Sequence, residues 1–591
     1  MLVGWLRGAG REICQRDGEP ETGRECVATA KGERTPGEGN RAEGVNRWVS
    51  CGRPLELNLR GAFPILNPMS ALPLRTATPR VLTYRGAVRR PPHVRLLTCL
   101  AAALALTAGG LALSGPAGAV DDPLLLESPA LAPFVGQQVR WEPCGSAECA
   151  TIRAPMDYAN PAAGELTLAA TRMRNTGPDR LGTIFVNPGG PGSAAQGFAT
   201  WLARVSPVIA DAYDVVAFDP RGVGESTPIQ CITGPQTTRW LLTDPTPDTT
   251  SEIRTVMARA ATIGRGCRTR APDLARHIGT DASVRDLDLM RAIVGDPTLN
   301  LLGFSYATVL GTRYAELFPA RVGRLVLDGA LDQRLDGMQL SRGQSTGFQR
   351  AIIRFARDCV RHSNCVARTP DGVIRYVNRL LDRVDAQPLR GGSLGPVDEA
   401  QVLAAVFYSL YSADSWPTLR TGLAQARSGS GAALQVLASQ SWSRSGPTTY
   451  STNANSAFYA ISCWDLPPAP GPVGFAAAAR RWSLDAAVPA MARASSWGNA
   501  PCTGWFGHDP GGPHTANSAT TAPILIIGTR YDPATPYEWA VSLNRQLPTS
   551  RLLTYDGDGH TAFGGQSSCV DGAVAAFLVS GTLPEPGARC R

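Results

Sequence analysis

The sequence predicts an α/β fold, a mainly parallel sheet flanked by helices and interrupted by one large, mainly helical cap insertion. Three observations lead there. Short apolar, β-branched runs alternate with longer helical stretches, the pattern of strands covered by helices. One run passes through a sharp turn directly into a helix, with Ser305 at the apex. Between two of the runs lie almost 200 residues of a different texture, helical in places and rich in Ser, Gly and Thr elsewhere.

The strand candidates are 183–186, 214–218, 299–304, 324–327, 523–527 and 551–554. Helical patterns at 347–361, 373–384, 398–411 and 474–487 fall between the fourth and fifth strands. The division that follows is a leader at 1–119, a first part of the sheet domain at 120–330, a cap insertion at 331–515 and a second part at 516–591. Gly/Pro-rich residues 511–521 return the chain to the sheet.

The chain has 591 residues and a formal net charge of +8. Residues 1–119 carry a surplus of +7, and the remainder only +1. The main body therefore has no field to draw in a polyanion, and no nucleic-acid partner is expected. Lys31 is the only lysine. Arg89, Arg90 and Arg95 precede an apolar run at 96–113 that ends in Ala117-Gly118-Ala119. A basic region, a short apolar segment and an Ala-x-Ala end describe a secretory signal peptide over 89–119. An uncleaved anchor is the competing reading, but Thr98, Thr107, Gly109 and Gly110 make a poor permanent span. Residues 1–68 have no apolar period and read as a misassigned start.

Ten cysteines follow the leader: 144, 149, 231, 267, 359, 365, 463, 502, 569 and 590. An even count in an exported chain implies disulfides. Pairing each with its neighbour in sequence is the simplest of roughly 945 connectivities. There is no Cys-x-x-Cys pair and no His at ligand spacing, so no metal or other cofactor is expected.

Each chemical element sits after a strand. Gly303-Phe-Ser305-Tyr-Ala307 places Ser305 where a strand turns into a helix, so its oxygen is exposed and the helix N-terminus points at it. The usual pattern is Gly-x-Ser-x-Gly, and Ala307 departs from it by one methyl. Asn187-Pro-Gly-Gly190-Pro-Gly-Ser193 follows the strand at 183–186 and cannot be a helix or a central strand. Its backbone N–H groups suit an oxyanion hole. Gly190 and Tyr306 are the expected donors, with Gly189 the alternative to Gly190. His560, in Asp556-Gly-Asp-Gly-His560-Thr, follows the last strand and is the expected base. His508 and His514 lie in the Gly/Pro linker and read as surface residues. Asp532, after the strand at 523–527, is the expected acid, and Asp328 is the runner-up. The order Ser305, Asp532, His560 is that of an α/β-hydrolase triad.

Several further motifs complete a resemblance. They are Trp141-x-x-Cys144, Asp219-Pro-Arg-Gly-Val-Gly-Glu-Ser226, Leu327-Asp-Gly329, Ile461-Ser-Cys-Trp-Asp465 and Asp532-x-x-Thr-Pro536. With them the chain resembles the secreted tripeptidyl aminopeptidases of actinobacteria, α/β-hydrolase serine peptidases related to prolyl aminopeptidases. The likeness runs from about Trp141 to Cys590. It implies release of short peptides from a free N-terminus, which needs an anion for the substrate ammonium. Asp465 in the cap is the candidate; capping a turn or pairing with an Arg is its competing role. The substrate is a peptide or, in the alternative, an ester. An inactive binding protein on the same scaffold is a third reading, opposed by the complete triad.

Overall fold

A computed structural model describes residues 128–509 and 511–591. The leader and its expected signal peptide lie outside the described residues. Ten strands form one sheet in the order β1-β2-β3-β5-β4-β6-β7-β8-β9-β10. They are β1 (Glu142–Cys144), β2 (Ala147–Pro155), β3 (Glu165–Met173), β4 (Thr183–Asn187), β5 (Asp214–Phe218), β6 (Leu299–Phe304), β7 (Val322–Asp328), β8 (Ile524–Tyr531), β9 (Ser550–Asp558) and β10 (Arg589–Cys590). The pairs joining β5, β4, β6, β7, β8, β9 and β10 are parallel; β1, β2 and β3 add an antiparallel edge.

All six expected strands are present. They were legible because both faces of the central strands are covered, so the sequence runs apolar without alternation. Ile184 and Val186 face one core cluster while Phe185 faces the other. In β8, Leu525 and Ile527 join the cluster of Ile184 and Val186, and Ile524 and Ile526 that of Phe185. The sequence reading missed β1, β2, β3 and β10. In β2, exposed Thr151 and Arg153 alternate with buried Ile152 and Ala154, which hides the strand from a search for apolar runs.

Helices of eight or more residues are α1 (Phe198–Val205), α2 (Gly234–Leu241), α3 (Thr250–Arg270), α4 (Thr280–Ile293), α5 (Ala307–Leu317), α6 (Gly337–Cys359), α7 (Pro370–Ala386), α8 (Glu399–Leu410), α9 (Trp416–Arg427), α10 (Ala432–Trp442), α11 (Ala454–Asp465), α12 (Pro472–Ser483), α13 (Pro489–Trp497), α14 (Tyr537–Gln546) and α15 (Ser568–Ser580). Helices α6 to α13 all lie between β7 and β8. Helices α6 to α10 and α13 bury a core of their own, including Ile352, Phe355, Val377, Leu380, Val402 and Leu419, while α11 packs into the sheet core through Ala457, Ala460 and Ile461. Capping boxes start α6 at Asp336 and α8 at Asp398, where an aspartate and a glutamine three residues on satisfy each other's orphan backbone groups. The early helix α3 joins this upper layer, since Val256 and Ala260 pack on Phe475 and Trp497.

The five disulfides are Cys144–Cys149, Cys231–Cys267, Cys359–Cys365, Cys463–Cys502 and Cys569–Cys590, the nearest-neighbour pairing. Among the described residues no helix is long and apolar enough to cross a membrane.

The topology places the site. Strand β4 pairs with β5 on one side and β6 on the other, so the chain reverses its direction of travel across the sheet there. In a parallel sheet, loops leaving the carboxyl ends at such a switch point diverge and open a crevice. Asn187 lies opposite Gly303, which sets the Gly-rich turn after β4 beside the turn after β6.

Candidate active site

Ser305 sits between β6 and α5 with φ 54°, a left-handed conformation that a serine adopts only when its surroundings impose it. Its N–H donates to the Asp328 carbonyl (2.9 Å), and its own carbonyl accepts from Thr308 N–H (2.9 Å) and Thr308 Oγ1 (2.6 Å). The turn tolerates only small flanking residues. A Cβ on Gly303 would lie 2.8 Å from the Ala307 oxygen and 3.3 Å from its Cβ. Ala307 fits there fully buried, so the departure from glycine costs no space.

The Gly-rich turn packs on this elbow. A Cβ on Gly189 would lie 2.3 Å from the Phe304 oxygen and 2.8 Å from the Tyr306 nitrogen, so no side chain can stand there. Gly189 N–H donates to Asn187 Oδ1 (2.9 Å), which commits that group to the turn. Gly190 is therefore better placed than its alternative Gly189, and it lines the same cavity as Ser305 and Tyr306.

His560 and Asp532 are buried and meet through Nδ1, 2.9 Å from each carboxylate oxygen. Asp532 is fixed in turn. Oδ1 accepts from the N–H groups of Ala534 and Thr535 (both 2.8 Å), and Oδ2 from Thr535 Oγ1 (2.9 Å) and Thr561 N–H (3.2 Å). An acceptor-only carboxylate at Nδ1 makes Nδ1 the protonated nitrogen, which leaves Nε2 basic. Nε2 is buried with no hydrogen-bond partner among the described residues. The imidazole and the serine turn share a platform at the end of β7, because a Cβ on Gly329 would lie 3.2 Å from His560 Cε1 while the preceding carbonyl holds Ser305 N–H. The cap holds His560 from the other side. His560 N–H donates to the Tyr411 carbonyl (2.7 Å), and the Tyr411 ring stands edge-on to the imidazole at 5.4 Å.

Asp328, the runner-up acid, does a different job. Its carboxylate accepts N–H bonds from Ala562 (2.9 Å) and Phe563 (2.8 Å), the residues just after His560. Burial pushes its pKa up to about 7. It is a positioning residue for the loop that carries the imidazole. Asp328→Ala strands two buried donors, at about 1–3 kcal/mol each, and lets the imidazole shift. The expected result is a lower melting temperature and a kcat reduced about 100-fold at nearly unchanged KM; Asp328→Asn, which keeps one acceptor, loses less. Steady-state kinetics beside thermal melts check this.

Asp465 lies at the end of α11, pinned by the Cys463–Cys502 disulfide. Oδ1 accepts Thr280 N–H (2.8 Å) and Oδ2 the Thr280 hydroxyl (2.7 Å), so it does cap the start of α4. The same hydroxyl is 2.6 Å from the Tyr306 hydroxyl, a relay that ties Asp465 to the residue after Ser305. Asp465 also lines the cavity of Ser305, together with Asp281 and Asp509. Burial raises the Asp465 pKa to about 7, and burial with the nearby Asp281 charge raises that of Asp509. Arg313 is committed to Asp281 by two bonds (2.6 and 2.9 Å). This end of the cavity therefore holds more carboxylate than cation. Asp509 was not found from the sequence; it sits in a Gly/Pro stretch with no periodic signal. His514 corrects an expectation. It is half-buried, lines the cavity and pairs with Glu316 (3.0 Å), whereas His508 is exposed as expected.

Comparison with known proteins fits this geometry. A model of the alpha/beta hydrolase fold matches residues 182–369, and a model described as TAP-like protein matches residues 488–590. Serine protease Hip1 of Mycobacterium tuberculosis is 33% identical over 483 residues, which cover 78% of this chain and 92% of that protein. The chain belongs to the TAP-like α/β-hydrolases. Carboxylesterase B of Mycobacterium tuberculosis is 35% identical over 531 residues, covering 85% of this chain and 98% of that one. Tripeptidyl aminopeptidase of Streptomyces lividans is 30% identical over 476 residues, covering 76% and 86%. Within the TAP-like α/β-hydrolases this chain is a serine hydrolase whose C-terminal block carries Asp532 and His560.

Proposed function

We propose that this hydrolase is an exported aminopeptidase that releases short peptides, of tripeptide type, from free N-termini. The observation that carries the reading is that Ser305 opens onto a cavity that Asp465, Asp281 and Asp509 also line. A free α-ammonium is the group such carboxylates attract, and their distance from Ser305 would set how many residues are removed. The names of two relatives, a serine protease and a tripeptidyl aminopeptidase, agree with it. Five disulfides and the leader pattern support export. In this reading residues 120–330 and 516–591 are the catalytic sheet domain and 331–515 its cap.

The chemistry follows from the groups present. Ser305 Oγ attacks the scissile carbonyl as His560 Nε2 takes its proton. Asp532 holds the Nδ1–H tautomer and faces the imidazolium that forms. The N–H groups of Gly190 and Tyr306 receive the oxyanion, each donor contributing about 3 kcal/mol. His560 then protonates the departing amine. Water activated by the same nitrogen hydrolyses the acyl-enzyme.

The test compares a free-amine tripeptide p-nitroanilide with its N-acetylated form and with a short acyl ester. The free-amine peptide is expected to be preferred, and cleavage of the ester alone would mean an ester hydrolase, as the relative named carboxylesterase suggests. Asp465→Asn keeps an acceptor for Thr280 N–H, so the fold survives while the charge goes. Loss of a buried charge partner worth about 2 kcal/mol predicts a fall of about 30-fold in kcat/KM for the free-amine substrate and little change for the blocked one. With Asp465 titrating near 7 and the substrate α-ammonium at about 8, the preference for the free amine rises from pH 6, peaks between the two values and falls above them, and Asp465→Asn loses the rising limb. Equal losses on both substrates would rule out Asp465 as the amine site.

A further inference from the structure

A second cavity, of about 290 Å³, opens from the same serine in a different direction. It shares with the acidic cavity only the dividing residues Gly190, Ser305, Ser341, Gln344, Phe458 and Asn499. Its walls are supplied mainly by the upper layer of helices: Trp240 from α2, Phe348 from α6, Leu403 and Phe407 from α8, Tyr411 just beyond α8, and Trp442 from α10. Phe348 stands edge-on to Phe407 at 4.8 Å and tilted to Tyr411 at 5.6 Å, so three rings form one rigid corner. An aromatic chamber of this kind holds an apolar side chain by removing it from water.

We infer that this chamber is the leaving-group subsite, and that it selects substrates whose first residue after the scissile bond carries a large apolar or aromatic side chain. The inference rests on the reading of Ser305 and His560 given above. The amine reading and the path of the proton set the direction. The acidic cavity takes the ammonium, and in an aminopeptidase the ammonium belongs to the acyl side. The leaving amine receives its proton from His560, so it departs past that imidazole. Tyr411, whose ring and carbonyl both contact His560, is a wall of the apolar chamber, while Thr535, 3.2 Å from His560 Nδ1, lines the acidic one, so both cavities border the imidazole. With the acyl side given to the acidic cavity, the apolar chamber, which reaches the imidazole through Tyr411, is where the group after the scissile bond lies. The cap thus serves both sides, with α11 supplying the carboxylate for the N-terminus and α8 the apolar wall for the leaving residue.

The experiment holds one free-amine N-terminal tripeptide constant and varies the residue after it through Gly, Ala, Leu, Phe, Trp and Lys, with release followed by mass spectrometry. The expected result is a kcat/KM about 10- to 30-fold higher for Phe than for Gly, the size of effect an apolar pocket gives. Ala404→Trp, which fills the chamber from α8, and Phe407→Ala, which removes one wall, should each bring the Phe/Gly ratio close to one. Asp465→Asn should lower the free-amine preference and leave the Phe/Gly ratio where it is. Equal rates for Gly and Phe in the wild type would overturn the assignment. So would a tenfold advantage of Lys over Phe. If no peptide is cleaved but esters are, the peptidase reading fails by itself. Methyl and 2-phenylethyl esters of one acid then test the chamber directly, with the same ratio expected.

Discussion

Ser305→Ala is expected to lower kcat by about 10⁶-fold, to the level that binding and the oxyanion donors alone sustain. Folding should be untouched. The contacts that shape the elbow are backbone ones, from Ser305 N–H to the Asp328 carbonyl and from Thr308 to the Ser305 carbonyl, and Ala keeps all of them. Ala also keeps the strain of φ 54°, since it shares the Cβ that disfavours that region. The melting temperature should therefore stay within a degree or two of wild type while labelling by a fluorophosphonate disappears. Retention of substantial peptide or ester hydrolysis in Ser305→Ala would remove Ser305 from the mechanism, and with it the function of the Gly-rich turn beside it.

The central sheet was legible because its chemistry is uniform. Strands covered on both faces must be apolar throughout, and Gly-rich turns must follow them where backbones pass close. Ser305, Asp532 and His560 could be ordered from those turns alone. What the sequence hid depends on tertiary contact. Thr280 meets Asp465 across 185 residues, and neither residue has a local pattern that announces the other. Tyr411 lies just beyond a cap helix that is buried nearly all round and reads as plain core, yet its carbonyl holds His560. Asp328 looked like a second-choice acid because it too follows a strand. Only the direction of its carboxylate, toward the N–H groups of Ala562 and Phe563, separates its work from that of Asp532. Helices α9, α10, α11 and α13 escaped for a local reason. Their Ser, Gly, Trp and Ala content gives a weak period, and burial among neighbouring helices stabilises them where propensity does not.

That separation makes Asp532→Asn the sharpest contrast with Asp328. Asp532 accepts through both oxygens: the N–H groups of Ala534 and Thr535 on Oδ1, the Thr535 hydroxyl and Thr561 N–H on Oδ2, and His560 Nδ1 within 2.9 Å of both. An asparagine has one acceptor oxygen. With that oxygen kept on the Ala534 and Thr535 N–H groups, its amide nitrogen faces Thr561 N–H and His560 Nδ1. The Thr535 hydroxyl can turn round to accept, but Thr561 N–H cannot, and Nδ1 must give up its proton to accept from the amide. The imidazole is then protonated on Nε2, the nitrogen that has to take the proton of Ser305. The expected loss in kcat is about 10⁴-fold from the wrong tautomer. A fall in melting temperature should accompany it, corresponding to about 1–3 kcal/mol for the stranded Thr561 donor. Thr561 already holds φ 69°, which a β-branched residue adopts only under constraint, so the loop has little latitude to find another partner. Side-by-side kinetics of Asp532→Asn and Asp328→Asn decide the assignment: a loss in Asp328→Asn as large as 10⁴-fold, with Asp532→Asn within tenfold of wild type, would exchange the two roles.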